Sequence, residues 1–304
     1  MAKWTAGDIP SQQGRTAVIT GTGGLGFIDA LELARTGATV ILAGRNAAKG
    51  EQAVARILDR IPNASIRFEP LDLADLASVA AFGTRLRDRV TQLELLINNA
   101  GVMVPPTRIG TVDGFELQFA TNYLGHFALT AHLLPLLRNG RDPRVVTLSS
   151  IAARNGQIDF ANLNAETDYH PMRAYSQSKL ACLMFARELQ RVGDAAGWGI
   201  TSIAVHPGIA RTDLLHNAPG ARSVMGLARS LLWFLFQPVE QGALPTLFAA
   251  TSPLAKQGEY YGPDRLGETR GYPTAARIPP QALDRATAAR LWEVSEALVG
   301  VPLR

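Results

Sequence analysis

At 304 residues with 47% hydrophobic and 18% charged side chains, the chain carries enough apolar mass for a large core and sits at the upper end of what one α/β domain holds. Its net charge of +4 comes from arginines scattered singly, never in basic runs with interleaved aromatics, which argues against a nucleic-acid partner. Cys182 is the only cysteine and cannot close an internal disulfide, no apolar stretch reaches the roughly 20 residues of a membrane span, and the start MAKWTAGDIPSQQ lacks a secretory pattern, so a cytoplasmic protein is expected.

After an N-terminal arm over 1–13, short runs of branched apolar residues alternate with longer helical patterns. That alternation predicts an α/β chain, a single-domain Rossmann-type doubly wound parallel sheet with helices on both faces, spanning 1–304. Strands are expected at 17–20, 39–43, 66–70, 95–98, 144–148 and 199–205, with a last one near 258–261. Apolar residues at three- and four-residue spacing predict helices over 28–36, 47–60, 76–90, 114–137 and 174–192. The Pro- and Gly-rich stretch 252–280 reads as an ordered loop, and 281–299 as a C-terminal helix with Leu283, Leu291, Trp292, Val294 and Leu298 as core contacts.

The first strand runs into Thr20-Gly21-Thr22-Gly23-Gly24-Leu25-Gly26 and directly into a helix. Gly21, Gly23 and Gly26 satisfy the general dinucleotide spacing, in which glycines allow a tight turn, close backbone approach to a pyrophosphate and close helix packing, while the helix N-terminus attracts the phosphate charge. A carboxylate at the end of the second strand would hydrogen-bond ribose hydroxyls and repel a 2′-phosphate. The chain instead has Ala43-Gly44-Arg45-Asn46 there, and the Arg45 guanidinium can grip a phosphate through paired hydrogen bonds, which favours NADP(H) over NAD(H). The competing reading of Arg45 is an exposed surface charge.

Tyr175-Ser176-Gln177-Ser178-Lys179 opens a helical stretch, so tyrosine and lysine lie one turn apart on one face. A phenol, with an ordinary pKa near 10, exchanges protons poorly at neutral pH unless a neighbouring cation favours its ionised form. Lysine supplies a compact ammonium for that purpose, in a chain whose positive charge is otherwise mostly arginine.

The ordered set of the glycine loop, Asn98-Asn99-Ala100-Gly101, Asn122, Ser149-Ser150, Tyr175/Lys179 and Pro207-Gly208 resembles the short-chain dehydrogenase/reductase family over about residues 14 to 300. Ala43-Gly44-Arg45-Asn46, the Ser150-to-Tyr175 spacing and the tail Tyr260-Tyr261-Gly262-Pro263 look most like its retinol-dehydrogenase-like and WW-domain-oxidoreductase-like branch. The resemblance implies that Tyr175 is the general acid in reduction and the base in oxidation. It makes Lys179 the group that favours the phenolate and holds the nicotinamide ribose, and Ser150 rather than Ser149 the residue that orients the substrate oxygen. Asn122 would hold a water relaying protons to Lys179, or else satisfy backbone groups at a helix irregularity. Gly21, Gly23, Gly24, Leu25, Gly26, Asn99, Ala100 and Gly101 would line the cofactor, with Asp72 and Leu73 beside the adenine, although Asp72 could equally cap a helix. Pro207, Gly208, Ile209 and Thr212 would close over the nicotinamide and phosphates, while His206 reads as structural. The family spaces its loop as Gly-x-x-x-Gly-x-Gly, and here Gly21, Gly24 and Gly26 stand one residue closer.

The segment 212–239, with Trp233, Phe234 and Phe236, would cover an apolar substrate, or else serve as core or dimer contact; Arg211 or Arg222 could bind a carboxylate. The expected activity is NADP(H)-dependent hydride transfer to a ketone or aldehyde, or from an alcohol, as a carbonyl reductase or alcohol dehydrogenase. A silent nucleotide-sensing interaction protein would not need Asn122, Ser150, Tyr175 and Lys179 together. A retinoid or steroid dehydrogenase at a membrane surface would call for an anchor that the N-terminal arm lacks. No His/Cys/carboxylate cluster has metal-ligand spacing, and the chemistry calls for no metal. Family resemblance favours a homodimer or homotetramer built partly on the helices carrying Asn122 and Tyr175.

Overall fold

The computed structural model describes residues 3–210 and 237–304. Its strands are β1 (Thr16–Thr20), β2 (Thr39–Gly44), β3 (Ile66–Pro70), β4 (Leu95–Asn98), β5 (Arg144–Leu148), β6 (Thr201–Val205), β7 (Tyr260–Arg265) and β8 (Arg270–Ala275). They form one sheet in the order β3-β2-β1-β4-β5-β6-β7-β8, parallel except for β8 against β7. The helices are α1 (Gly24–Arg35), α2 (Ala47–Leu58), α3 (Leu76–Arg87), a short α4 (Leu117–Phe119), α5 (Gly125–Arg138), α6 (Pro171–Ala196), α7 (Val239–Thr251) and α8 (Arg285–Val299).

Successive side chains of a strand point to opposite faces, so a strand buried on both faces must be apolar throughout. Val18, Ile41, Leu96 and Val145 enter one core with residues of α3, α5, α6 and α8, whereas Ala17, Ile19, Val40, Leu42, Leu95, Ile97 and Val146 enter the other with residues of α1 and α7. The order reverses between β1 and β4, and the crevice at their carboxyl ends is where an open α/β sheet receives ligands. In the first core Trp292 of α8 lies 5.1 Å from Phe127 of α5 and stacks at 6.0 Å on Phe185 of α6, and Tyr123 Oη shares a 2.7 Å hydrogen bond with Ser295 Oγ. No helix among the described residues is long and apolar enough to cross a membrane.

Three expectations need correction. The stretch read as a loop over 252–280 contains the antiparallel β7–β8 hairpin, where Gly262, Pro263, Gly271 and Pro273 lie inside strands; Pro273 is tolerated because β8 is an edge strand. The C-terminal helix begins at Arg285, where Asp284 caps it by accepting the amides of Ala286 and Thr287, and Leu283 in the preceding turn is 54% exposed rather than a core contact. Helix α7 is additional: it is buried nearly all round and contains Pro245, so it shows no amphipathic stripe.

Asp29, in α1, is fully buried, and neither carboxylate oxygen has a hydrogen-bond partner among the described residues. Burial alone pushes its pKa well above the usual carboxylate range. The folded state therefore holds a proton that the unfolded chain releases above about pH 4, and stability falls as pH rises from there toward the raised value. Asp29→Asn is expected to raise the unfolding free energy at pH 8 by about 1–3 kcal/mol and to change it little at pH 4. Urea unfolding at both pH values checks this, and an unaltered pH slope would count against a neutral buried carboxyl.

Candidate active site

β1 delivers Thr20 to the crevice, and the chain then turns through Gly21 at φ +92° and Gly24 at φ +51°, backbone that L side chains rarely adopt. Gly23 is extended and precedes the first turn of α1. A side chain at Gly26 would overlap the Gly21 carbonyl and crowd the Asn99 amide, so this glycine is required for close packing of helix on loop. The short loop thus uses Gly21, Gly24 and Gly26 for turning and packing. Leu25 is buried and packs toward Gly242 of α7. Thr22 reaches the end of β2, where the absence of a side chain at Gly44 makes room for its methyl group. Next to it Arg45 is exposed, and Asn46 caps α2 by accepting the Lys49 amide at 2.9 Å.

Asp72 follows β3 and its carboxylate accepts the Ala74 amide at 2.9 Å; the cap of α3 is Asp75, which takes the amides of Ala77 and Ser78. Leu73 is buried, with its backbone pressed on Gly125 of α5.

Across the crevice, Asn99 and Ala100 each donate a backbone N–H to Thr20 Oγ1 at 2.9 Å, and Asn99 Nδ2 donates to the Thr20 carbonyl at 2.6 Å. Thr20 Oγ1 also lies 2.9 Å from His126 Nε2, and His126 Nδ1 lies 2.9 Å from the Asn122 carbonyl. A carbonyl only accepts, so Nδ1 carries the proton, Nε2 accepts, and the Thr20 hydroxyl donates to it. Burial, helped by the Lys179 charge and opposed by the Asn122 carbonyl, pushes the His126 pKa down to about 4, which keeps this imidazole neutral.

Asn122 sits in a widened turn, Ala120–Leu124, between α4 and α5. Its Oδ1 accepts the Val102 amide at 2.7 Å, and its Nδ2 donates to the Val102 carbonyl at 3.0 Å and to Ser178 Oγ at 2.9 Å. Its own carbonyl also accepts the Cys182 thiol at 3.1 Å. The side chain thus satisfies the backbone of Val102 and ties the segment after β4 to α6. Gly101 closes the ring: a β-carbon there would stand 3.1 Å from Asn122 Oδ1 and 3.6 Å from Lys179 Nζ.

Pro171 opens α6 at its first turn, a position that needs no backbone N–H. One turn on, Tyr175 and Lys179 are both buried, and Lys179 Nζ donates to the Leu148 carbonyl at the end of β5 at 3.0 Å. The two serines after β5 differ: Ser149 Oγ donates to the Lys179 carbonyl at 2.7 Å, whereas Ser150 Oγ accepts the Ala152 amide and donates no hydrogen bond among the described residues. That difference separates two residues the sequence leaves equivalent.

After β6, Pro207, Gly208 and Ile209 pass beneath the β7–β8 turn. Gly208 has φ +65° and its α-carbon is pressed by the Thr269 carbonyl, which also accepts the Ile209 amide at 2.8 Å. Thr212, Arg211, Arg222, Trp233, Phe234 and Phe236, and with them most of the 212–239 cover, lie outside the described residues. Thr20 and His126 are the functional-site residues that sequence reasoning missed. The available signals were a polar residue ending an apolar strand and a histidine four positions after Asn122.

These features define a dinucleotide-dependent oxidoreductase fold with a tyrosine–lysine pair at the carboxyl end of its sheet. The short chain dehydrogenase family matches residues 15–222, and the chain belongs to that family. Polyprenol dehydrogenase of Mus musculus is 39% identical over 300 residues, covering 96% of this chain and 86% of the relative. Retinol dehydrogenase 13 of Homo sapiens is 39% identical, covering 98% and 89%. The crystal structure of an uncharacterised protein from Mycobacterium paratuberculosis superposes with a TM-score of 0.82 at 40% identity, covering all of both chains. The family implies an NAD(P)(H) cofactor, and the glycine turn through Gly21 and Gly24 into the N-terminus of α1 fits one.

The Thr20 hydroxyl accepts two amides and shares its proton between His126 Nε2 at 2.9 Å and, more weakly, the Ile97 carbonyl at 3.3 Å, so removing it orphans at least three partners at once. Thr20→Val is expected to lower the unfolding free energy by about 2–4 kcal/mol, and Thr20→Ser by less than about 1 kcal/mol. Urea unfolding of the two variants checks this, and equal losses would show that the methyl group matters rather than the hydroxyl.

Proposed function

We propose that this oxidoreductase is NADP(H)-dependent and interconverts an apolar ketone or aldehyde with its alcohol. The observation that carries the cofactor reading is the exposed Arg45 at the end of β2, where no carboxylate stands to repel a 2′-phosphate. NADP(H) supplies or accepts the hydride when bound. Gly21, Gly24, Gly26, Asn99, Ala100 and Gly101 would hold it along the crevice, with Arg45 at its phosphate end. The Tyr175 hydroxyl gives its proton to the carbonyl oxygen in reduction and takes one from the alcohol in oxidation. The buried Lys179 ammonium, one turn away on the same helix, would hold the ribose, and the Ser150 hydroxyl would donate to the substrate oxygen. Relatives whose names specify retinol and polyprenol support a large apolar alcohol or carbonyl as substrate.

The same reading keeps the protein in the cytoplasm, supported by a lone, buried thiol. It also keeps a homo-oligomer. Because α8 packs on α5 and α6 through Trp292, pairing of copies through those two helices would have to involve α8.

A panel of aromatic, aliphatic and cyclic ketones with NADPH, followed by absorbance, tests the activity. Tyr175→Phe is expected to lower kcat by about 10² to 10⁴ while NADPH still binds. Arg45→Ala is expected to weaken NADPH about tenfold or more and leave NADH nearly unaltered. An Arg45→Ala enzyme that kept its NADPH preference would remove Arg45 from the site.

A further inference from the structure

His206, the first residue after β6, has no exposed surface. Gly262 of β7 lies flat against its ring, leaving no room for a side chain, and the Tyr260 ring stands 5.1 Å away. His206 Nδ1 accepts the Gly208 amide at 3.2 Å, so the ring proton resides on Nε2, which donates to Glu268 Oε2 at 2.9 Å. The same carboxylate pairs with Arg154 Nη2 at 2.6 Å, and its Oε1 accepts the Arg277 amide at 3.0 Å. Arg154 belongs to the turn Ile151–Asn155 that Ser150 caps.

The carboxylate therefore sits between the two segments that flank the reaction: the Ser150 turn on one side and the Pro207–Ile209 segment on the other. Glu268 holds this place with φ +69°, a left-handed conformation that non-glycine residues rarely adopt, so the turn is kept against a local preference. The charged and titratable groups facing His206 are Glu268 from the hairpin turn, Arg154 behind it and Tyr260 of β7. Burial pushes the His206 pKa down and outweighs Glu268. Burial pushes Glu268 up, but His206, the Arg277 amide and Arg154 together hold it below its usual range. A neutral imidazole and an ionised carboxylate make a fixed hydrogen-bonded link rather than a proton carrier.

We propose that Arg154, Glu268 and His206 form a positioning relay, centred on Glu268, that fixes the Pro207–Gly208–Ile209 segment relative to Ser150 and so sets how that segment closes on the cofactor. The geometry of the relay stands by itself; its consequence for the cofactor rests on the NADP(H) reading above.

Hydrogen exchange by mass spectrometry on the cofactor-free, full-length protein reads the link directly, and steady-state kinetics reads its consequence. In Glu268→Ala the amides of 206–210 are expected to exchange about tenfold faster or more, while the α6 peptide containing Tyr175 keeps its protection. The KM for NADPH is expected to rise about tenfold with kcat falling by less than about threefold. Glu268→Gln, which keeps an acceptor for His206, should recover most of both effects. Arg265→Ala, on the same hairpin but outside the relay, should show neither. If Glu268→Ala fails to fold, Arg154→Ala carries the same test, with smaller shifts in the same direction.

Unaltered exchange over 206–210 would overturn the relay. Faster exchange with an unaltered KM for NADPH would overturn its role in seating the cofactor. A wild-type protein that neither binds NADPH nor turns over any carbonyl would sink the proposed function, yet the exchange result would still decide whether the relay exists.

Discussion

The structure depends on the hydroxyl of Thr20. It stands where β1 and β4 end and the sheet reverses its order, and every hydrogen-bonding capacity it has is filled: it donates to His126 and accepts the amides of Asn99 and Ala100. A fully satisfied network in a low-dielectric interior fixes one arrangement, because each alternative leaves a polar group unpaired. From Thr20 the network runs through His126 to the Asn122 carbonyl, and from the Asn122 side chain to Val102 and to Ser178 on α6. The loop that would meet the pyrophosphate and the helix that carries Tyr175 and Lys179 are thereby parts of one rigid frame. The crevice is open by topology, and this frame joins its two sides.

Much of that frame was legible in the sequence, for identifiable reasons. Strands buried on both faces must be apolar along their length, as β4 is over Leu95–Ile97 and β5 over Val145–Val146, whereas the edge strand β3 carries Arg67 and Glu69. Tyr175 and Lys179 were readable because helical geometry alone puts them on one face. The misses are equally physical. Helix α7 packs on several sides and has no polar stripe, and Pro245 within it argues locally against a helix. The hairpin hides behind glycines and prolines that ordinarily mark loops, and its pairing is decided by Tyr261 meeting Ala275 and Gly262 meeting Thr274 across the turn. Thr20 and His126 are 106 positions apart, and no periodicity announces that they touch.

The shortened phosphate loop illustrates how a departure from a family spacing is absorbed. Gly21 and Gly24 take the positive dihedral angles and Gly26 still packs on the Gly21 carbonyl and Asn99, so the part of the loop that faces the sheet keeps its construction. The shortening therefore falls on Thr22 and Gly23. Thr22 is drawn against Gly44, beside Arg45, so the loop and the end of β2 are in direct contact. A change in loop length is in this way a change at the end of the crevice next to Arg45, away from Tyr175 and Lys179.

Two histidines, the buried ones among the described residues, complete the division of labour. His126 bridges a hydroxyl and a carbonyl on the β1–β4 side, and His206 bridges an amide and a carboxylate on the β6–β7 side. Burial lowers both pKa values, and each ring has one nitrogen that must carry a proton and one that must not. Protonating either ring would place a second N–H where a donor already points, against Thr20 if that hydroxyl is to keep its two amide bonds, and against the Gly208 amide. Each ring is therefore committed to holding backbone in place, and neither has a proton to exchange with a substrate. Under the proposed function, proton transfer belongs to Tyr175, a buried side chain whose hydroxyl is part of neither network.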